Sequence, residues 1–211
     1  MKRLIAFGDS WTHGHGVETD IKYKEIGRAD EFTFTLRMSN SWPRWLANKY
    51  DLPFVNFGYP GIDNHEIGNC IDMFFDKLSK DDLIIVMLSY PYRHLMREDR
   101  NITLKSTIER IQQKLEGYNY YIFNSFCATF YSEPELKDEM DLSRFVEIDS
   151  TPADILNAYE IKNDVSVWEY NSRKVFDDKK NFLTGDYHPN LLGYKIIADW
   201  MHKSLEKYNV V

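Results

Sequence analysis

The stretch FGDSWTHGHG, residues 7 to 16, sets Ser10 between an aspartate and a tryptophan directly after an apolar run, in a loop that also carries His13 and His15. A serine hydroxyl is a weak nucleophile until a neighbouring base takes its proton, and histidine is the side chain suited to that task near neutral pH. The histidine best placed to serve is His188, in GDYHPN near the other end of the chain. Nucleophilic attack by Ser10 with His188 as base is the chemistry these residue types would perform. Each also has a structural reading, Ser10 as the cap of a helix following a strand and His188 as a cap before the last helix. His13 and His15, two apart in a glycine-rich loop with no carboxylate cluster nearby, make a poor metal pair and read as loop or pocket-wall residues. Cys70 and Cys127 form neither a disulfide framework nor a metal spacing, so buried free thiols are expected.

Positioning such a serine requires a rigid scaffold. Leu4 to Phe7 is a short buried strand, Phe54 to Phe57 a second, LIIVML (83 to 88) a third and YNYYIFNSF (118 to 126) a fourth. Helices are expected from Ser41, with Trp42, Trp45 and Leu46 on one face; from Asn64, with Ile67, Ile71, Phe74, Phe75 and Leu78; and over Ile102 to Leu115. Pro189 is expected to open a last helix that turns Leu192, Ile196, Ile197, Trp200 and Leu205 inward. Residues 17 to 38 read as an inserted loop. Residues 130 to 180 read as a variable region with a short helix near Pro152 to Tyr159. Strands alternating with helices imply an α/β chain with a parallel sheet covered on both faces, forming one domain over 1–211. Ligands of such sheets bind beyond the carboxyl ends of the strands, where Ser10, Gly61 and the SYPYR segment (89 to 93) fall.

These blocks resemble those of the SGNH, or GDSL, hydrolase superfamily of esterases and lipases. FGDSWTHGHG is similar to the family's first block, whose serine is the nucleophile, although Trp11 stands where leucine is usual. NFGYPGIDN (56 to 64) resembles the second, which implies that Gly61 donates its backbone N–H to an oxyanion. GDYHPN followed by LLGY resembles the last, which carries the catalytic histidine. The resemblance implies a flavodoxin-like three-layer α/β/α sandwich with about five parallel strands, a serine esterase acting on small-acyl esters such as an O-acetyl group on a sugar, and no cofactor or metal. It allows a transacylase or a non-catalytic relative as alternatives. Two departures stand out. The family's third block supplies an asparagine as oxyanion donor where this chain has Pro91, which leaves Ser89, Tyr92 or Arg93 to replace it. The family's aspartate lies three residues before the histidine, whereas Asp186 lies two before His188. Trp11, Tyr59, Tyr92 and Arg93 are the expected substrate contacts, and Arg93 suits either an anionic substrate group or a surface ion pair.

With 33 acidic against 26 basic side chains and a net charge of −7, the chain lacks the basic stripe that neutralises phosphates, so nucleic acid is not an expected partner. No apolar run approaches membrane-spanning length, and the apolar stretch after Met1 is too short for a signal peptide, so a cytoplasmic location is expected.

Overall fold

The computed structural model describes residues 1–15, 17, 31–90, 103–124, 136–163, 168–169 and 188–208. Four five-residue strands form its centre: β1 (Leu4–Gly8), β2 (Phe54–Gly58), β3 (Leu83–Met87) and β4 (Asn119–Phe123), all parallel and in the order β2-β1-β3-β4. Where about five strands are expected, the described sheet has four. Beside β4 the described residues make a single parallel bridge, Ile122 to Phe145, with the Ile122 N–H bonded to Arg144 O and the Val146 N–H bonded to Ile122 O.

Alternation along the strands explains the layers. Leu4 and Ala6 of β1 join Leu83, Ile85 and Met87 of β3 on one face, whereas Ile5 and Phe7 join Ile84 and Val86 on the other. The first face is covered by α3 (Trp42–Lys49) and a long helix near the carboxyl end, Leu191–Glu206, through Trp42, Leu46, Tyr194, Ile197 and Met201. The second is covered by α4 (Asn64–Phe74) and α5 (Leu104–Lys114), through Ile67, Ile71, Ile108 and Ile111. Strands buried on both sides need the continuous apolar runs seen in LIAF and LIIVM.

The remaining elements are α1 (Ser10–His13), α2 (Glu31–Asn40), a 3-10 turn at Phe75–Lys77 after α4, α6 (Leu136–Glu139), α7 (Pro152–Asn163), and the two-residue antiparallel pair β5 (Trp168–Glu169) and β6 (His188–Pro189); the long helix Leu191–Glu206 is α8. Three expectations are corrected. Residues 31 to 38, read as the end of a loop, lie in α2. Pro189 lies in β6, and α8 is capped instead by Asn190, whose side chain accepts the Gly193 N–H at 2.9 Å. Leu192 is 38% exposed rather than inward; the opposite face of that turn, with Gly193 and Tyr194, is the buried one. Cys70 is free but only half-buried, and burial pushes its thiol up; Cys127 lies outside the described residues. No described helix is long and apolar enough to cross a membrane.

Candidate active site

The sheet changes direction at β1: the chain passes first to β2 on one side and then to β3 on the other. The crevice beyond such a switch point is where α/β sheets take ligands. Ser10 follows the carboxyl end of β1, Tyr59 and Gly61 follow β2, and Ser89 follows β3. The elements therefore bring all three segments to one edge.

A single helical turn such as α1 does not hold itself, since nucleation fixes several residues for one hydrogen bond. It is held here by its neighbours. Asp9 caps it, its Oδ1 accepting the Trp11 N–H at 3.0 Å, so the capping role open to Ser10 belongs to Asp9 and Ser10 is the first helical residue. Below it, β1 and β2 both end in glycine. A Cβ at Gly58 would stand 2.4 Å from His13 N and 2.7 Å from Thr12 C, so the backbone of α1 rests directly on the end of β2. Asn56 completes the cradle. Its Nδ2 donates to Thr12 O at 2.7 Å and to Ser41 Oγ at 3.0 Å, and its Oδ1 accepts the Gly58 N–H at 2.8 Å.

Asp9 does a second task. Its Oδ2 accepts the Ser89 hydroxyl at 2.9 Å, linking the ends of β1 and β3 through two buried side chains. Asn64, at the start of α4, grips the backbone of the same serine: its Oδ1 accepts the Ser89 N–H at 2.6 Å and its Nδ2 donates to Ser89 O at 3.2 Å. Ser89 has one hydroxyl proton. In this structure that proton goes to Asp9, so the Ser89 side chain supports the site's floor and does not present a donor to the crevice.

Against this frame, His188 Nε2 lies 2.9 Å from Ser10 Oγ, joining residues 178 apart in sequence. Since Asn190 and not His188 caps α8, the histidine is left in β6 facing the serine. Two further side chains stand beside the pair. The His15 ring packs against the His188 ring with centroids 5.0 Å apart, and Arg37 Nη1, from α2, is 2.9 Å from His15 Nε2. The Tyr194 hydroxyl of α8 donates to His15 O at 2.7 Å.

The other expected residues divide. Gly61 adopts φ +84°, a left-handed conformation that favours glycine, and a Cβ there would meet nothing within 4 Å, so the space before its backbone is open. Tyr59 is 61% exposed, and its N–H is bonded to Gly8 O. Trp11 is corrected: at 3% exposure it packs in the core with Trp42 and Leu46, because the capped turn of α1 directs it inward. Asp186, Pro91, Tyr92 and Arg93 lie outside the described residues. Sequence reasoning passed over Asp9, Asn56, Asn64 and Arg37. A polar Asn56 within the otherwise apolar FVNFG strand was the one visible signal among them.

Solved structures are similar to the whole chain. A psychrotrophic esterase, EstA from Pseudoalteromonas sp., is 13% identical with 99% of each chain covered and a TM-score of 0.58. A carbohydrate acetylesterase from Sinorhizobium meliloti is 9% identical, with 99% of this chain and 100% of that one covered and a TM-score of 0.53. An aryl esterase of M. smegmatis is 12% identical, with 98% and 99% covered and a TM-score of 0.52. No family model and no curated protein matches the sequence. At these identities the likeness is one of fold: the chain has the parallel-sheet α/β fold of the SGNH hydrolases.

Proposed function

We propose that this chain with the SGNH-hydrolase fold is a serine ester hydrolase. The observation that carries the reading is the 2.9 Å approach of His188 Nε2 to Ser10 Oγ. In the proposed reaction Ser10 Oγ attacks the ester carbonyl carbon while its proton passes to His188 Nε2. The tetrahedral intermediate then collapses, the bond to the leaving oxygen breaks, and His188 returns the proton to that oxygen. Water repeats the sequence on the acyl-enzyme, giving the free acid and restoring Ser10. The N–H groups of Ser10 and Gly61 are assigned to the oxyanion, and Asp186 to the Nδ1–H of His188. Because the Ser89 hydroxyl is given to Asp9, Arg93 is the side chain assigned as third oxyanion donor, a permanent cation with the reach to stabilise developing negative charge.

The substrate class assigned is a small-acyl ester, with an O-acetyl group on a sugar as the first to try; the carbohydrate acetylesterase among the structural neighbours supports that choice. The test is a panel of short-chain and acetylated-sugar esters with wild type and Ser10→Ala. Turnover of at least one ester that falls below a few per cent in Ser10→Ala is the expected result. Equal turnover by both proteins would refute the assignment.

A further inference from the structure

His15 has no part in the reaction just described, yet it touches both halves of the site. Its carbonyl accepts the Tyr194 hydroxyl at 2.7 Å, from the helix that follows His188. Its N–H is bonded to Ser10 O at 3.1 Å, and its ring lies against that of His188. Among the described residues the groups facing it include His13 from its own loop, with ring centroids 5.3 Å apart, Arg37 from α2, His188 from β6 and Tyr194 from α8.

The contact with Arg37 determines the state of the ring. A guanidinium has donors and no acceptor, so at 2.9 Å the His15 Nε2 must be the accepting nitrogen and the ring proton must sit on Nδ1. Protonating Nε2 would set one N–H against another and a second cation beside a permanent one. The contact therefore requires the neutral Nδ1–H form of the His15 ring. This matters for its neighbour. A base that becomes an imidazolium in the transition state is hindered by another imidazolium packed on its face, so a histidine at this place helps only while it stays neutral.

Arg37 is itself fixed by α2. A Cβ on Gly14 would lie 2.3 Å from Arg37 O, and the Phe34 ring packs on that of His13 at 4.9 Å, so α2 lies directly on the nucleophile loop. We propose that His15, locked by Arg37 as the neutral Nδ1–H tautomer, is a positioning residue that ties the loop carrying Ser10 to the ring of His188. The inference rests on the assignment of Ser10 and His188 above.

Long-range proton–nitrogen NMR of the histidine rings, recorded from pH 4.5 to 8 on wild type, Arg37→Gln and Arg37→Lys, tests the lock directly. In wild type the His15 Nε2 should give the signal of an unprotonated ring nitrogen and Nδ1 that of a protonated one. Arg37→Gln should let the His15 ring proton distribute over both nitrogens and lower kcat by about tenfold with KM little changed; Arg37→Lys, which keeps a charged donor, should restore part of both. A wild-type His15 protonated on Nε2 overturns the inference, as does an Arg37→Gln protein unchanged in tautomer or in kcat. Turnover that does not depend on Ser10 would defeat the underlying reading instead, and the tautomer measurement distinguishes the two failures.

Discussion

Ser89→Ala separates a supporting hydroxyl from an oxyanion donor. The hydroxyl donates to Asp9 Oδ2 at 2.9 Å, with both side chains buried. A hydrogen bond to a charged group contributes roughly 1.5–3 kcal/mol net, so the alanine variant should lose about 2 kcal/mol of stability. For a chain of this size that is a fall of roughly 4–8 °C in Tm. The effect on rate should be mild, because Asp9 Oδ1 still holds the Trp11 N–H and Asn64 still grips the Ser89 backbone. A fall in kcat below about tenfold is expected, against the roughly 10²–10³ that follows loss of an oxyanion donor. Thermal unfolding and steady-state kinetics on one preparation decide it. An unchanged Tm with a hundredfold loss of kcat would show that the hydroxyl turns to the oxyanion and that the floor reading is wrong.

Gly58→Ala should be among the most damaging single-methyl changes, because its Cβ would meet backbone atoms of Thr12 and His13 that cannot rotate away; urea unfolding should show a loss of about 2–3 kcal/mol together with loss of activity. Tyr50→Phe should do the opposite at neutral pH: the Tyr50 hydroxyl is buried without a hydrogen bond among the described residues, and removing it should stabilise by about 1 kcal/mol. Burial, with lesser contributions from Glu206 and Tyr121, pushes that hydroxyl up to about 12, whereas in the unfolded chain it titrates near ~10. The folded state therefore holds the proton more tightly, so stability is intact below pH ~10 and declines as pH rises from there to about 12. Urea midpoints measured against pH should show that decline in wild type and a flatter one in Tyr50→Phe.

How far the sequence could be read depended on whether a residue acts through a pattern or through a single contact. The strands LIAF and LIIVM, the helix capped by Ser41 and the helix from Asn64 all follow from burial on one or two faces, which leaves a periodic trace. Helix α2 leaves no helical one: the apolar residues of EFTFTLRMSN fall two apart, Phe34 is 49% exposed, and the helix meets the nucleophile-side loop by close approach of Arg37 O to Gly14. Asp9, Asn56 and Asn64 were illegible for a similar reason, since each acts through hydrogen bonds to partners 25 to 80 residues away. Trp11 misled because position after Ser10 predicts proximity but not direction, and the cap at Asp9 turns it into the core. The approach of His188 to Ser10 was foreseeable from chemistry alone, whereas Gly61 entered only through the resemblance of its block.

Labelling with a fluorophosphonate tests the central claim most directly, because the reagent forms a covalent adduct with a serine only where a base activates it. Peptide mass spectrometry of the treated protein should find one adduct, on Ser10, absent from Ser10→Ala and slowed by two or more orders of magnitude in His188→Ala. A fully folded protein left unlabelled, or labelled equally well without His188, would contradict the account.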